Sequence, residues 1–188
     1  MTARFCGGKR HYWKVYTISR MQKDDTYYFH QTPVELAKDL MQFIPLTETD
    51  RLLEPFRGEG AFYNHFPADN PKDWCEITDG RNYIDYNGEY DWVISNPPFK
   101  LDGETGRVNA FWKLLDFYTD KAQKGVAFLG NDTCFGTLTP KRIAHLEAKG
   151  WSIQKVVVCS VKKWRGRYFF IIVEKKPVSF YTCLTNNY

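Results

Sequence analysis

The sequence predicts an α/β fold: a mainly parallel sheet with helices on both faces and an antiparallel C-terminal hairpin. Three observations carry that expectation. Short β-rich runs alternate with segments of helical apolar spacing, the pattern that winds a parallel sheet. Residues 51–66 read as strand, glycine turn and helix, an arrangement that lets a backbone approach a nucleotide closely. Ile153–Cys159 and Tyr168–Val173 are two β-rich runs on either side of a basic segment containing Gly166, which is a hairpin signal.

The bulk numbers fit this. At 188 residues the chain suits one domain with a real core. Aromatic residues make up 17% and hydrophobic residues 43%, favouring a folded globule. No stretch approaches the ~20 apolar residues of a membrane span, and the N-terminus lacks a signal-peptide core. Five scattered cysteines, an odd number, argue against a disulfide framework and for a reducing, cytoplasmic setting. Cys6 and His11 lie close together without a Cys-x-x-Cys pair, so no metal site is expected. The net charge of +4 is compatible with a polyanionic partner.

Residues 1–28 form a basic aromatic arm, with Arg4, Lys9, Arg10, Tyr12, Trp13 and Lys14. Cations for phosphates and rings for bases suit a nucleic-acid surface. A flexible arm, or an edge strand over His11–Ser19, fits the same residues. The principal domain spans 29–176, and 177–188 form a tail. A helix opens at Thr32, a candidate N-cap, with Pro33 at its first position and Glu35 completing the cap. Leu36, Leu40, Met41 and Phe43-Ile44 give its apolar face, and Pro45 ends it.

Arg51–Pro55 reads as a strand running into Phe56-Arg57-Gly58-Glu59-Gly60, then a helix to about Phe66. The spacing is Gly-x-Gly, neither the dinucleotide fingerprint nor a P-loop. Asp73–Ile77 is a second strand, with Glu76 about twenty residues beyond the glycines, the distance at which a carboxylate accepts from a ribose diol. Asn82–Asp85 suggests a short strand before a turn at Asn87-Gly88. Tyr90–Ile94 is a buried strand, and Ser95-Asn96-Pro97-Pro98-Phe99 begins the loop after it, since a strand interior does not tolerate paired prolines. Asn96 offers an acceptor to an amine, the prolines leave their carbonyls free, and Phe99 presents a flat face. Lys100–Arg107 is a polar, glycine-containing loop, either a cover for the site or an inert connection. Val108–Gln123 is a helix, Gly125–Gly130 a buried strand, and Thr139-Pro140 starts a helix that reaches Gly150.

The order of these signals resembles the S-adenosylmethionine-dependent amino-methyltransferases of class I, most of all the adenine-N6 DNA methyltransferases. The likeness runs over about Phe29–Lys175, and its specific part is Asn-Pro-Pro-Phe at the right distance from Gly58-x-Gly60. It implies a Rossmann-like methyltransferase sheet and S-adenosylmethionine as cofactor. Thr32 and Pro33 would lie near the methionine end, and Glu54, Pro55, Gly58 and Gly60 would form the turn around it. Glu76 would hold the ribose hydroxyls. Asn82 and Tyr83 stand where the family usually has Asp-Phe against the cofactor adenine, a departure that makes Asp85 a second candidate for that contact.

The implied chemistry is methyl transfer to a flat amine held by the Asn96 side-chain oxygen and the Pro97 carbonyl, with Pro98 stiffening the turn. Phe99 would stack on a base taken out of the duplex, with Tyr168 or Phe169 as another wall. Lys100, Arg107, Lys162, Lys163, Arg165 and Arg167 are candidates for phosphate contacts; a solvated basic face fits them equally. The motif also occurs in enzymes that methylate RNA amines or a protein glutamine amide. The basic arms favour nucleic acid, DNA before RNA. A homodimer, or a catalytically silent nucleic-acid-binding subunit beside a methyltransferase-like partner chain, stays open.

Overall fold

The computed structural model describes residues 31–101, 110–162, 164, 166–178 and 181. The arm at 1–28, the strand expected at His11–Ser19, and Arg107, Lys163 and Arg165 lie outside the described residues. In chain order the elements are α1 (Val34–Met41), β1 (Leu52–Glu54), β2 (Lys72–Trp74), β3 (Trp92–Ser95), α2 (Ala110–Thr119), β4 (Gly125–Asn131), α3 (Asp132–Phe135), α4 (Pro140–Ala148), β5 (Ser152–Cys159) and β6 (Tyr168–Glu174).

One six-stranded sheet runs β2-β1-β3-β4-β6-β5. β1, β2, β3 and β4 are parallel, and β6 is antiparallel to both β4 and β5. The expected hairpin therefore forms, with its second strand inside the sheet and its first at the edge. From β1 the chain pairs β2 on one side and β3 on the other. That reversal is the topological switch point of the sheet, and open α/β sheets bind ligands outside the carboxyl ends of the strands at such a point.

Two apolar layers flank the sheet. Trp92 and Ile94 face a layer that holds Ala37 and Leu40 of α1 together with Phe62. Val93 faces the other, with Phe111 and Leu114 of α2 and Leu146 of α4. All four residues of β3 are buried, as a central parallel strand with covered faces requires. Burying a side chain such as Val93 or Ile94 stabilises the fold by roughly 1.5–3 kcal/mol. Described Cys75, Cys134 and Cys159 are buried free thiols. No helix among the described residues is long and apolar enough to cross a membrane.

Several expected elements differ. The helix after the glycine turn is one 3-10 turn, Tyr63–His65, because Pro67 holds Phe66 extended at ψ 135°. Asn82–Asp85 is a turn: Asn82 Oδ1 accepts from the Ile84 N–H at 3.2 Å, and the Asp85 N–H donates to the Asn82 carbonyl at 3.1 Å. That side-chain bond offers the backbone an alternative to a strand ladder. α1 is capped at Pro33, one residue after Thr32. α2 stops at Thr119, whose hydroxyl donates to the Asp116 carbonyl at 2.8 Å. α3 was not anticipated; the Asn131 side chain caps it by accepting from the Cys134 N–H at 3.1 Å.

Candidate active site

The glycine turn is built by the end of β1 and docked on the end of β2. The Cys75 N–H donates to the Glu54 carbonyl at 2.9 Å, and the Arg57 N–H to the Cys75 carbonyl at 3.0 Å. Gly58 and Gly60 have φ of +52° and +84°, the left-handed region that glycine enters without strain. Glu76 ties the turn down: its Oε2 accepts from the Gly58 N–H at 2.7 Å. Its Oε1 accepts from the N–H and hydroxyl of Thr78, at 3.1 and 2.9 Å. These bonds use three of the roughly four acceptor positions of a carboxylate.

Glu54 is the unusual group. It is only 2% exposed, and Oε2 accepts from the Tyr63 N–H at 2.7 Å. Burial pushes its carboxyl up to about 9, aided by the nearby Glu76 charge and opposed by the Tyr63 bond and Arg57. At neutral pH it is an acid holding its proton, in a place where a cation would draw the proton off. Arg57 pairs with Asp79 at 2.6 Å and lies 3.7 Å over the Trp74 ring, which Arg81 also approaches at 4.1 Å.

Asn96 follows β3 on the α1 side of the sheet and is half-buried. Its Nδ2 donates to Thr32 Oγ1 at 3.2 Å. The adjacent Gln31 reaches the glycine turn: the Glu59 N–H points to Gln31 Oε1 at 3.5 Å, and a Cβ on Gly58 would meet that same oxygen at 3.2 Å. Two consecutive residues before α1 thus touch the Gly58 turn and Asn96. Pro97 is buried, Pro98 exposed, and half-buried Phe99 packs against both apolar layers.

The structure brings Thr32, Glu54, Gly58, Glu76 and Asn96 into one chain of contacts. Pro33 and buried Pro55 flank it. Tyr83 packs in an aromatic group with Phe56 at 5.0 Å and Phe117 at 5.8 Å, while Asp85 is exposed. Tyr168 and Phe169 turn to opposite faces, as neighbours in a strand must. Tyr168 is buried beside Trp164, centroids 4.4 Å apart, and Phe169 stacks on Phe135 at 4.6 Å. Only one of the two can wall a given site. Lys100 and Lys162 are exposed, and exposed Arg167 pairs with Asp132 at 3.3 Å. Sequence reasoning missed Gln31, Arg57 and Thr78. Arg57 carried a signal, a cation inside the glycine turn; Gln31 and Thr78 carried none. A groove of about 370 Å³ between α1 and the end of β5 shares no residue with this rim. No cluster of metal-ligating side chains exists among the described residues.

No protein-family model matches the chain, and no curated protein is similar to it in sequence. Solved structures are similar in fold. A methyltransferase from Pyrococcus furiosus is 17% identical with a TM-score of 0.56, over 77% of this chain and 84% of that one. This is a methyltransferase fold. A second structure with it is a modification subunit of a proposed type I restriction enzyme from Vibrio vulnificus YJ016. It is 14% identical with a TM-score of 0.59, over 82% of this chain and 46% of that one. The magnesium protoporphyrin IX methyltransferase from Synechocystis PCC 6803, solved with bound S-adenosylmethionine, is 10% identical with a TM-score of 0.50, over 74% and 76%.

Proposed function

We propose that this chain is an S-adenosylmethionine-dependent methyltransferase that modifies the exocyclic N6 amine of adenine in DNA. The observation that carries the reading is the Asn96 amide, fixed to Thr32 beside a glycine turn with a buried acid on one side and Glu76 on the other. The methyltransferase fold, and the modification subunit among the similar structures, support it.

The donor set suits the cofactor. Glu54, whose proton is held by burial, would ionise against the cofactor ammonium. Gly58 and Gly60 would let the backbone approach, and the remaining acceptor position of Glu76 would take a ribose hydroxyl. Thr32, Pro33 and Pro55 would border the methionine end. Tyr83 would lie along the adenine, with Asn82 or Asp85 near its amine; the Asn82 oxygen already serves the Ile84 N–H. When bound, the cofactor would supply an electrophilic sulfonium methyl, its sulfur keeping the electron pair of the broken C–S bond.

The protein supplies position. An aromatic amine is a poor nucleophile because its lone pair is spread into the ring. The Asn96 side-chain oxygen and the Pro97 carbonyl would accept its two hydrogens and turn the lone pair toward the methyl. The spent proton then leaves to water. Pro98 stiffens the bend, and Phe99 would stack on the base. Stacking of roughly 1–3 kcal/mol per base offsets much of the unstacking cost. Lys100 and Arg167 would contact the nucleic acid, together with Arg107, Lys163 and Arg165.

Transfer of a labelled methyl to DNA, RNA and protein, by wild type and Asn96→Ala, tests the reading. Wild type labels adenine in DNA, and the variant loses at least about 100-fold while still binding cofactor. Label only in RNA or protein rejects the DNA substrate, and cofactor binding without any transfer rejects the enzyme.

A further inference from the structure

The proposed transfer, on which this inference rests, requires the Asn96 amide to face one way. An amide carries one acceptor oxygen and one NH2 group. Turned over, it would present hydrogens to the hydrogens of the amine. We propose that Thr32 is a positioning residue that sets the rotation of the Asn96 amide, rather than a helix cap or a contact made only to cofactor.

The Thr32 hydroxyl is spared for this. α1 is capped at Pro33 with no side-chain cap bond, and the first helical backbone bond runs from the Ala37 N–H to the Pro33 carbonyl at 3.0 Å. The Thr32 oxygen instead accepts from Asn96 Nδ2 at 3.2 Å, across 64 residues of sequence. Thr32 is only 9% exposed, so water competes poorly for that bond. The backbone that presents it is stiff. Pro33 has φ −58°, and a residue before proline is held to extended conformations. On the other side, the Gln31 side chain reaches the Gly58 turn. That bond holds the Asn96 nitrogen toward α1. The same dipeptide registers that amide against the turn proposed to hold the cofactor.

Thr32→Val keeps the shape and removes the acceptor; Thr32→Ser restores the hydroxyl. Three readouts apply: single-turnover methyl transfer, cofactor Kd by calorimetry, and the side-chain amide resonances of Asn96, assigned with Asn96→Asp. In Thr32→Val the transfer rate falls about tenfold, the loss expected for one aligning neutral hydrogen bond. Any loss in cofactor affinity stays smaller than the loss in rate, the Asn96 resonances shift, and Thr32→Ser recovers both rate and resonances. A Thr32→Val protein with unchanged rate and unchanged Asn96 resonances overturns the inference. So does a loss confined to cofactor Kd, which would make Thr32 a cofactor contact alone. If wild type transfers no methyl, the enzyme reading falls by itself. The resonances then decide the coupling: movement in Val with recovery in Ser upholds it, and no movement removes it.

Discussion

Replacing Glu54 with Gln separates the cost of the buried acid from its use. Gln keeps an oxygen to accept from the Tyr63 N–H and cannot ionise. In the folded chain the Glu54 proton is held up to about pH 9, because burial disfavours the charge; the ordinary value is 4.5. Between those two values the folded state keeps a proton that the unfolded state has released. The contribution of Glu54 to stability is thus fully present below about 4.5, falls as pH rises, and levels off above about 9. The slope is at most about 1.4 kcal/mol per pH unit, so raising pH from about 6 to 8 removes up to about 2.7 kcal/mol. For a domain of this size that is a drop in Tm of about 5–10 °C. Thermal melts of the cofactor-free protein at several pH values read this directly. Glu54→Gln flattens the curve and melts higher than wild type at pH 8, while its affinity for S-adenosylmethionine falls about 10- to 100-fold. Wild type also releases close to one proton on binding cofactor at pH 7, measured by calorimetry in buffers of different ionisation enthalpy, and the variant releases none. Parallel pH curves for the two proteins, or cofactor binding with no proton release in wild type, would refute the reasoning.

Three further changes test other parts of the molecule. Glu76→Ala removes the acceptor for the Gly58 N–H as well as the proposed diol contact, and cofactor affinity drops at least about tenfold by calorimetry. Phe99→Ala raises KM for DNA about tenfold and leaves cofactor Kd within about twofold; equal loss of both would sink the stacking role. Gly125→Ala, far from the rim, drives a Cβ to 2.1 Å from the buried Trp92 ring and destabilises the fold by about 1–3 kcal/mol in denaturant melts.

Chemistry that repeats at short range was legible in the sequence. The buried strand at 90–94 was visible from its apolar run and the prolines that stop it, and it forms as Trp92–Ser95. Gly58 and Gly60 marked a turn because their neighbours read as a strand, and both take positive φ. The α4 start was visible in Thr139-Pro140, and the Thr139 oxygen does accept from the Arg142 N–H at 3.4 Å. The capping signal at Thr32 misled because it was local: the hydroxyl found a partner 64 residues away. Asn82 misled for the reverse reason, since a short-range bond to Ile84 outweighed the β-rich composition around it. The raised pKa of Glu54 is invisible in sequence, because it depends on the burial of the carboxyl at the end of β1.

The interior place of β6 has a consequence for how the chain is made. It is the last strand in chain order among the described residues, yet it fills the slot between β4 and β5. Until residues 168–174 leave the ribosome, β4 presents a raw margin carrying Val126, Phe128 and Leu129 with backbone donors unmatched. A stop codon anywhere between 160 and 168 would leave that margin open permanently. Such truncated chains should be recovered as insoluble aggregates, not as smaller working proteins.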